Sequence, residues 1–499
     1  MPSSGISKNN YEVIIIGAGP GGSSVATFLA RQGISCLLLD RAKFPREKVC
    51  GDGLTPQALY WLDQLGCADE ALGHTACCVN ECDLHINGRR ILTGRFPQDS
   101  VYPGFCTLLS RKELDGLLVR NAVANGVHFI DGCKVNALSY TDDGVLVEGG
   151  NASEKRRFRA RLLIGADGAG SMASRFIGNN VTAGTKALSM RAYFSDVKIR
   201  GAQIKVFFDD YLFPGYGWIF ADDHGVANVG VGCVSDPLFD RPIAVRRVFE
   251  RFIASSAADF LGDAKQDAAP AGGWVAFSKL QRIAADRVML IGDAANHTDP
   301  LNGGGIHKAM EDAALVSRIA ASALYDNDCS LGRLKTYEDQ WEARFGADWR
   351  SAELLLSFAK NPFLRSVYLL MLERIGIGCE RSRPFADFCA GVFSSVSAQS
   401  AYLSPLKLLA AMPWDPRVWL NGSDFVRSSI SLGAKTILAC MQSGREAFMN
   451  PWENLHWLFE IGKKIIDVGF FVSPSASLDT TGFPGFQAAA DLRSAGPAS

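Results

Sequence analysis

The chain has 499 residues, 47% of them hydrophobic, and a formal net charge of −1 from 51 basic and 52 acidic residues mixed along its length. That size and apolar content provide for two or three domains around a large core, and the balanced charge, with no basic stripe, excludes nucleic acid and leaves a small molecule as the expected partner. Thirteen cysteines at irregular spacing, among them Cys77, Cys78 and Cys82, together with only seven histidines, form no zinc pattern, so reduced thiols of a cytoplasmic protein and no metal site are expected.

In chain order, a polar start with no basic n-region and apolar h-region leads into Tyr11–Ile16, a β-branched run that reads as a buried parallel strand. Gly17-Ala18-Gly19-Pro20-Gly21-Gly22 then opens a helical stretch, Ser23–Gln32, and Cys36–Leu39 returns as a second strand ending at Asp40. This is a complete βαβ dinucleotide-binding unit. Gly17 would make the tight turn, Gly19 would admit the pyrophosphate to the backbone, and Gly22 would let helix and strand pack closely. The helix N-terminus would face the phosphates. Asp40 stands where a carboxylate accepts hydrogen bonds from the adenosine ribose, with Arg41 beside it as a further cofactor contact.

Asn80–Pro97 and Ala187–Gly232 contain alternating segments such as Ile204–Phe208 and Val226–Gly232, expected as antiparallel strands of a substrate-covering sheet. Between and after them come two more strand-to-glycine junctions. Leu162–Gly165 runs into Ala166-Asp167-Gly168-Ala169-Gly170-Ser171, and Val288–Ile291 runs into Gly292-Asp293-Ala294-Ala295 and then Asp299-Pro300-Leu301-Asn302-Gly303-Gly304-Gly305-Ile306. From about Gly332 to Met412 the apolar spacing becomes helical. An extension from Pro413 ends in a tail, Ser473–Ser499, rich in Ser, Ala, Gly and Pro. No apolar run reaches the length of about 18 residues that a membrane span requires, and Val367–Leu372 is cut off by Glu373 and Arg374. Two amphipathic stretches, Ala352–Leu372 and Trp452–Phe471, suggest peripheral contact with a membrane surface.

The two later junctions resemble the A-D-G-x-x-S and G-D-A-A-x-x-x-x-P-x-x-G-x-G-I motifs of FAD-dependent enzymes of the p-hydroxybenzoate hydroxylase fold. The resemblance implies FAD, with Asp167 among its contacts, Asp293 on the ribityl chain, and Gly303, Gly304, Gly305 and Ile306 against the flavin ring. Arg111, in Leu109-Ser110-Arg111-Lys112-Glu113-Leu114-Asp115, matches the arginine placed near the FAD phosphates and ring. A sharper resemblance is to the geranylgeranyl reductase family within that fold, over roughly residues 11–410. It is carried by Pro45-Arg46-Glu47-Lys48-Val49-Cys50-Gly51-Asp52-Gly53-Leu54, by Tyr216-Gly217-Trp218-Ile219-Phe220 with Val229-Gly230-Val231-Gly232, and by Phe385 to Leu409. One departure is Ala221-Asp222, where the family has proline and a basic residue.

The expected fold is therefore α/β: a Rossmann-type FAD-binding domain (8–80, 98–185 and 275–331), an inserted antiparallel-sheet substrate domain (81–97 and 186–274), a C-terminal helical region (332–412) and the extension (413–499). The resemblance implies an FAD-dependent oxidoreductase that reduces carbon–carbon double bonds of an isoprenoid or lipid-like substrate by hydride transfer. Cys50, Tyr216 and Trp218 are expected beside the substrate, and the Phe207, Phe208, Phe213, Tyr216, Trp218 and Phe220 aromatics are expected to line an apolar pocket. No second G-x-G-x-x-G follows a strand, so NAD(P)H or a reduced carrier protein would deliver electrons transiently. The same fold also serves monooxygenases of aromatic or polyketide substrates, flavin halogenases, and a non-redox role in which FAD shapes a cyclising pocket. The halogenase W-x-W-x-I-P motif is missing, and no lysine lies between Lys48 and Lys112. The oligomeric state is left open.

Overall fold

Burial on both faces calls for continuous β-branched and leucine runs, and the Ile-Ile-Ile and Leu-Leu-Leu segments supply them to the centre of a sheet. In the computed structural model, which describes residues 9–75, 77–181, 184–235, 244–361, 364–396, 457–458, 460–461 and 463–464, five parallel strands lie in the order Val288–Leu290, Lys155–Gly165, Asn10–Ile16, Cys36–Leu39, His128–Ile130. The first helix, α1 (Pro20–Ala30), starts with proline in its first turn, as Pro's fixed φ favours. It therefore begins three residues before the expected Ser23. Helix α2 (Arg111–Ala124) is capped by Ser110, which accepts from the Glu113 N–H, and α3 (Ile306–Tyr325) returns across the sheet. Val13, Ile15, Leu38, Ile164, Met289 and Val316 are fully buried in the resulting core. The Gly17, Asp40, Asp167 and Asp293 loops all leave the C-terminal edge of this parallel sheet, where open α/β sheets bind ligands.

A second sheet covers that edge. Its strand order is Lys265–Gln266, Lys186–Ser195, Val226–Ser235, Tyr216–Ala221, Gln203–Phe207, Glu81–Ile86, Arg89–Arg95, with Ala271–Ala276 also on Lys186–Ser195. Pairing is antiparallel apart from Gln203–Phe207 against Glu81–Ile86, which run parallel because the chain reaches them from separate insertions. One face packs on the Val245–Ala254 helix through Phe249 and Phe252, and the other faces the first sheet.

Three more helices close the end of the sheet: α4 (Thr336–Lys360), α5 (Arg365–Arg381) and α6 (Arg383–Phe393). The expected amphipathic stretch Ala352–Leu372 is thus two helices. The chain leaves α4 at Asn361 in an extended conformation, as a residue preceding proline prefers. Leu354 and Leu356 are buried in the protein. In the other stretch, Trp457 packs on Leu354 and donates to the Ser357 carbonyl at 3.0 Å, and Lys464 pairs with Glu353 at 2.6 Å. The described parts of both stretches therefore cover their own core. Residues 397–409 of the family segment, most of the extension and its Ser473–Ser499 tail lie outside the described residues. Among the described residues no helix is long and apolar enough to cross a membrane.

Candidate functional site

The glycine-rich loop is shaped by close contacts. Gly17 has φ +100°, and a Cβ there would lie 2.2 Å from the Ala166 carbonyl oxygen. A Cβ at Gly22 would lie 1.8 Å from the Gly17 oxygen. Gly19 differs, because a Cβ there meets only the guanidinium tips of Arg46 at 3.7 Å and Arg111 at 3.8 Å. That open space, ahead of an α1 N-terminus with no side-chain cap, is where the pyrophosphate would sit.

Its charge is set by a buried triad. Asp115 accepts from Arg111 at 2.9 and 2.7 Å and meets Arg46 Nη1 at 2.8 Å. Two guanidiniums on one carboxylate leave a net positive charge facing Gly19, which fits a pyrophosphate. Burial works against the Arg111 charge, but Asp115 outweighs it and raises its pKa. Removing one partner of such a buried set costs about 3–5 kcal/mol.

Asp40 Oδ2 accepts from the Ala18 N–H at 2.8 Å, so this carboxylate also braces the loop. Arg41 is exposed next to it. Asp167 accepts from Ser171 and from the Met172 N–H at 2.6 Å, capping the short Met172–Phe176 helix. Burial raises its pKa, and these bonds offset part of the rise. Asp293 accepts from Thr298 and pairs with Lys48 Nζ at 3.3 Å. Burial opposes its charge, yet Lys48 and Thr298 prevail and hold it below the usual carboxylate range. Gly303 turns with φ +72°, and Gly305 stands ahead of α3 without a side-chain cap. Gly304 lies behind them, its N–H donated to Asn302 Oδ1 at 2.7 Å.

Gly19, Lys48, Arg111, Asp293, Gly303, Gly305 and Ile306 form one end of a cavity of about 750 Å³. Its other walls are mainly apolar, with Arg374 of α5 among them: Leu84, Ile91 and Leu92 from the second sheet, Leu355 and Leu356 from α4, Leu372 and Ile375 from α5, and Phe385 and Phe393 from α6. Of the six expected aromatics, Phe208, Phe213, Tyr216 and Trp218 line it. Two do not, which corrects the expectation. Phe207, on the opposite side of its strand, is packed on Phe252 in the core beneath the sheet, and Phe220 lies under the Gly51 loop, where a Gly51 Cβ would come within 2.8 Å of its ring.

Cys50, Tyr216 and Trp218 all line this cavity. Trp218 Nε1 donates to Asn228 Oδ1 at 2.9 Å, and Asn228 Nδ2 donates to the Cys50 carbonyl at 2.8 Å and to Asp52 Oδ2 at 2.7 Å. Tyr193 donates to the same Asp52 oxygen. The Cys50–Gly53 loop is thereby fixed over the sheet. Burial keeps Asp52 above the usual carboxylate range, and it also raises the Cys50 thiol. Tyr216 donates to the Asn302 carbonyl at 2.7 Å, tying the second sheet to the glycine loop. From the other side, Asn302 Nδ2 donates to the Phe393 carbonyl at 2.7 Å, and Ser395 donates to Asp299 at 2.8 Å. The departure at Ala221-Asp222 is remote from these contacts: Asp222 caps the following hairpin by accepting from the His224 and Val226 N–H groups.

Sequence reasoning missed Arg46, Lys48, Asn228, Asp52, Tyr193 and the helical wall. Arg46 and Lys48 were inside a segment already singled out, but their partners, Asp115 and Asp293, are far away in sequence.

Residues 10–347 match the FAD binding domain family. The chain is 31% identical over 433 residues to a menaquinone reductase of Mycobacterium tuberculosis, covering 84% of this chain and 97% of that one. It is 28% identical over 345 residues to digeranylgeranylglycerophospholipid reductase 1 of Methanococcoides burtonii, covering 68% and 81%. Among solved structures, a geranylgeranyl bacteriochlorophyll reductase-like protein of Thermoplasma acidophilum superposes with a TM-score of 0.62 at 21% identity, covering 85% of this chain and 99% of that one, which speaks to the fold alone. With loops that fit FAD, and with these relatives, the chain belongs to the FAD binding domain family and, within it, to the geranylgeranyl reductase family of FAD-dependent oxidoreductases.

Proposed function

We propose that this enzyme saturates carbon–carbon double bonds in the prenyl chain of an isoprenoid or lipid-like substrate. The observation that carries the reading is the single cavity joining the flavin loops to a long apolar wall. Three strand spacings separate Tyr216–Ala221 from Arg89–Arg95, so that wall extends about 14 Å across the sheet. The names of the reductases that resemble this chain support the same substrate class.

The segments 8–80, 98–185 and 275–331 are assigned to FAD, 81–97 and 186–274 to the substrate, and 332–412 to closing the pocket. Gly17, Gly19, Gly22, Asp40, Arg41, Arg46, Arg111, Asp167, Asp293 and Gly303–Ile306 would hold FAD. Bound and reduced, FAD would supply a hydride to one carbon of the double bond. Trp218 holds the chain and excludes water, and Tyr216 fixes the flavin loop. The Tyr216 proton is committed to Asn302. Cys50, kept as a thiol by burial, is the proton source for the other carbon. The electrons come from NAD(P)H or a reduced carrier protein docking transiently. Met371, both exposed and lining the cavity, marks a mouth suited to a substrate delivered from a membrane surface.

The test is anaerobic. Chemically reduced enzyme mixed with a prenyl substrate should reoxidise its flavin and give product heavier by two hydrogens. Product that forms only with oxygen and gains one oxygen atom would establish a monooxygenase instead, and turnover with a redox-inactive flavin analogue would establish the non-redox role.

A further inference from the structure

Polar side chains on the cavity wall are mostly engaged within the protein: Tyr216, Trp218, Asp293 and Arg374 each bond to a neighbour. Tyr368 of α5 is an exception. Its ring lines the cavity 5.2 Å from that of Phe213, and its hydroxyl has no hydrogen-bond partner among the described residues. Unlike the enclosed Nε of Arg374, that hydroxyl is not sealed in by the protein and keeps surface on the cavity. Burial alone pushes its pKa up to about 12, with no charged group acting on it, so the phenol stays a neutral donor. Met371, exposed at the mouth, is three residues further on and hence a neighbour on the same helix face.

A hydroxyl with no partner in apolar surroundings costs stability, and phenylalanine would fill the same space without that cost. An acceptor brought by a ligand offsets it. The lack of any charge acting on the phenol selects the kind of acceptor. Arg374 is six residues away, about 9 Å along the helix, and is already paired with Glu373. An anionic head at Tyr368 would therefore be desolvated without a counter-charge, whereas an uncharged oxygen accepts the bond freely.

The prenyl chain itself makes such a contact consequential. Its double bonds recur with every isoprene unit, so an apolar wall holds the chain almost equally well after a slip of one unit. Only a polar contact at one end breaks that equivalence.

We infer that Tyr368 is a specificity residue whose hydroxyl donates to an uncharged oxygen at the polar end of the substrate, just inside the mouth, and thereby sets which double bond lies at the flavin loops. The oxygen is that of a hydroxyl, ether or carbonyl, whose shared chemistry is to accept one hydrogen bond without charge. This rests on the reductase reading above and adds to it the position of reduction.

The experiment compares Tyr368→Phe with the wild-type holoenzyme, chemically reduced and anaerobic. Four probes share one chain: geranylgeraniol, its methyl ether, its monophosphate, and the hydrocarbon with hydrogen in place of the oxygen. The position of the saturated bond is read by fragmentation in a mass spectrometer. Wild type should saturate one position in the alcohol and the ether and scatter along the hydrocarbon. Tyr368→Phe should raise KM about fivefold for the alcohol and the ether and scatter their products, while the hydrocarbon KM moves far less. FAD should be retained, and the thermal midpoint should stay level or rise, which loss of a packing contact would not give. A monophosphate that binds best, with a preference that vanishes in Tyr368→Phe, would overturn the uncharged assignment. Unchanged KM and product positions, or equal shifts for all four probes with a lowered midpoint, would reduce Tyr368 to a wall residue and leave the reductase reading standing. Wild-type enzyme that saturates none of the probes would instead sink the reductase reading, and this inference with it.

Discussion

At the flavin end of the cavity the walls are backbone: a carbon added at Gly17 or Gly22 collides with a carbonyl oxygen, and carboxylates such as Asp167 and Asp40 are bound by neighbouring N–H groups. At the mouth the walls are side chains from helices and strands hundreds of residues apart, such as Leu84, Leu372 and Phe385. The first end tolerates almost no change in residue type, because each position is defined by distances of a few tenths of an ångström. The second needs only apolar volume.

The sharpest way to break the contrast lies within the glycine loop itself. Gly22→Val should prevent folding, seen as insoluble protein, since nothing can move the Gly17 carbonyl without dismantling the α1 start. Gly19→Val should instead fold with normal circular dichroism and elute colourless, because its side chain occupies only the space before Arg46 and Arg111. Yellow Gly19→Val protein with full FAD would remove the pyrophosphate from this loop.

Trp218→Ala should keep FAD and lower kcat/KM by about a hundredfold, with a stability loss of about 3–5 kcal/mol measured by urea titration, as the Asn228 bond and the cavity wall disappear together. Behind the second sheet, His85 is buried against Phe207, and burial lowers its pKa to about 4. A histidine whose folded pKa is depressed binds fewer protons folded than unfolded, so stability present above pH 6.5 is lost as pH falls toward 4. His85→Leu should flatten this loss by up to about 3 kcal/mol between those values. An unchanged slope would assign the acid sensitivity to other groups, such as His307, which burial likewise lowers to about 4. The smallest effect belongs to the mouth. Cys389→Leu adds bulk to an apolar wall and should raise KM severalfold for long prenyl chains while sparing short ones, measured by competition between chain lengths.

The same contrast governs what could be read without a structure. The turns at Gly17 and Gly303 were legible because left-handed backbone, at φ +100° and +72°, favours glycine at fixed spacing after a strand. Strand alternation placed Tyr216 and Trp218 on one face, but could not tell that Phe220, two residues on, is covered by the Gly51 loop, nor that Phe207 and Phe208 divide between core and cavity. The α5 wall, with Leu372 and Ile375, carries no pattern beyond helical amphipathicity, which fits a membrane-facing helix as well as a pocket lining. Arg46 became meaningful only with Asp115 beside it, 69 positions later in the chain.

The Asn302 turn is gripped from two directions, by Tyr216 of the second sheet and by the Phe393–Ser395 end of α6. The second sheet and the end of α6 therefore hold the Asn302–Gly305 loop in register, and the molecule cannot be cut into interchangeable cassettes along the boundary between them. A chimera that imports the three closing helices from a relative must carry over the residues that grip this turn. Without them the transplant would be felt first as flavin leaking from the protein, before any change in substrate preference could be observed.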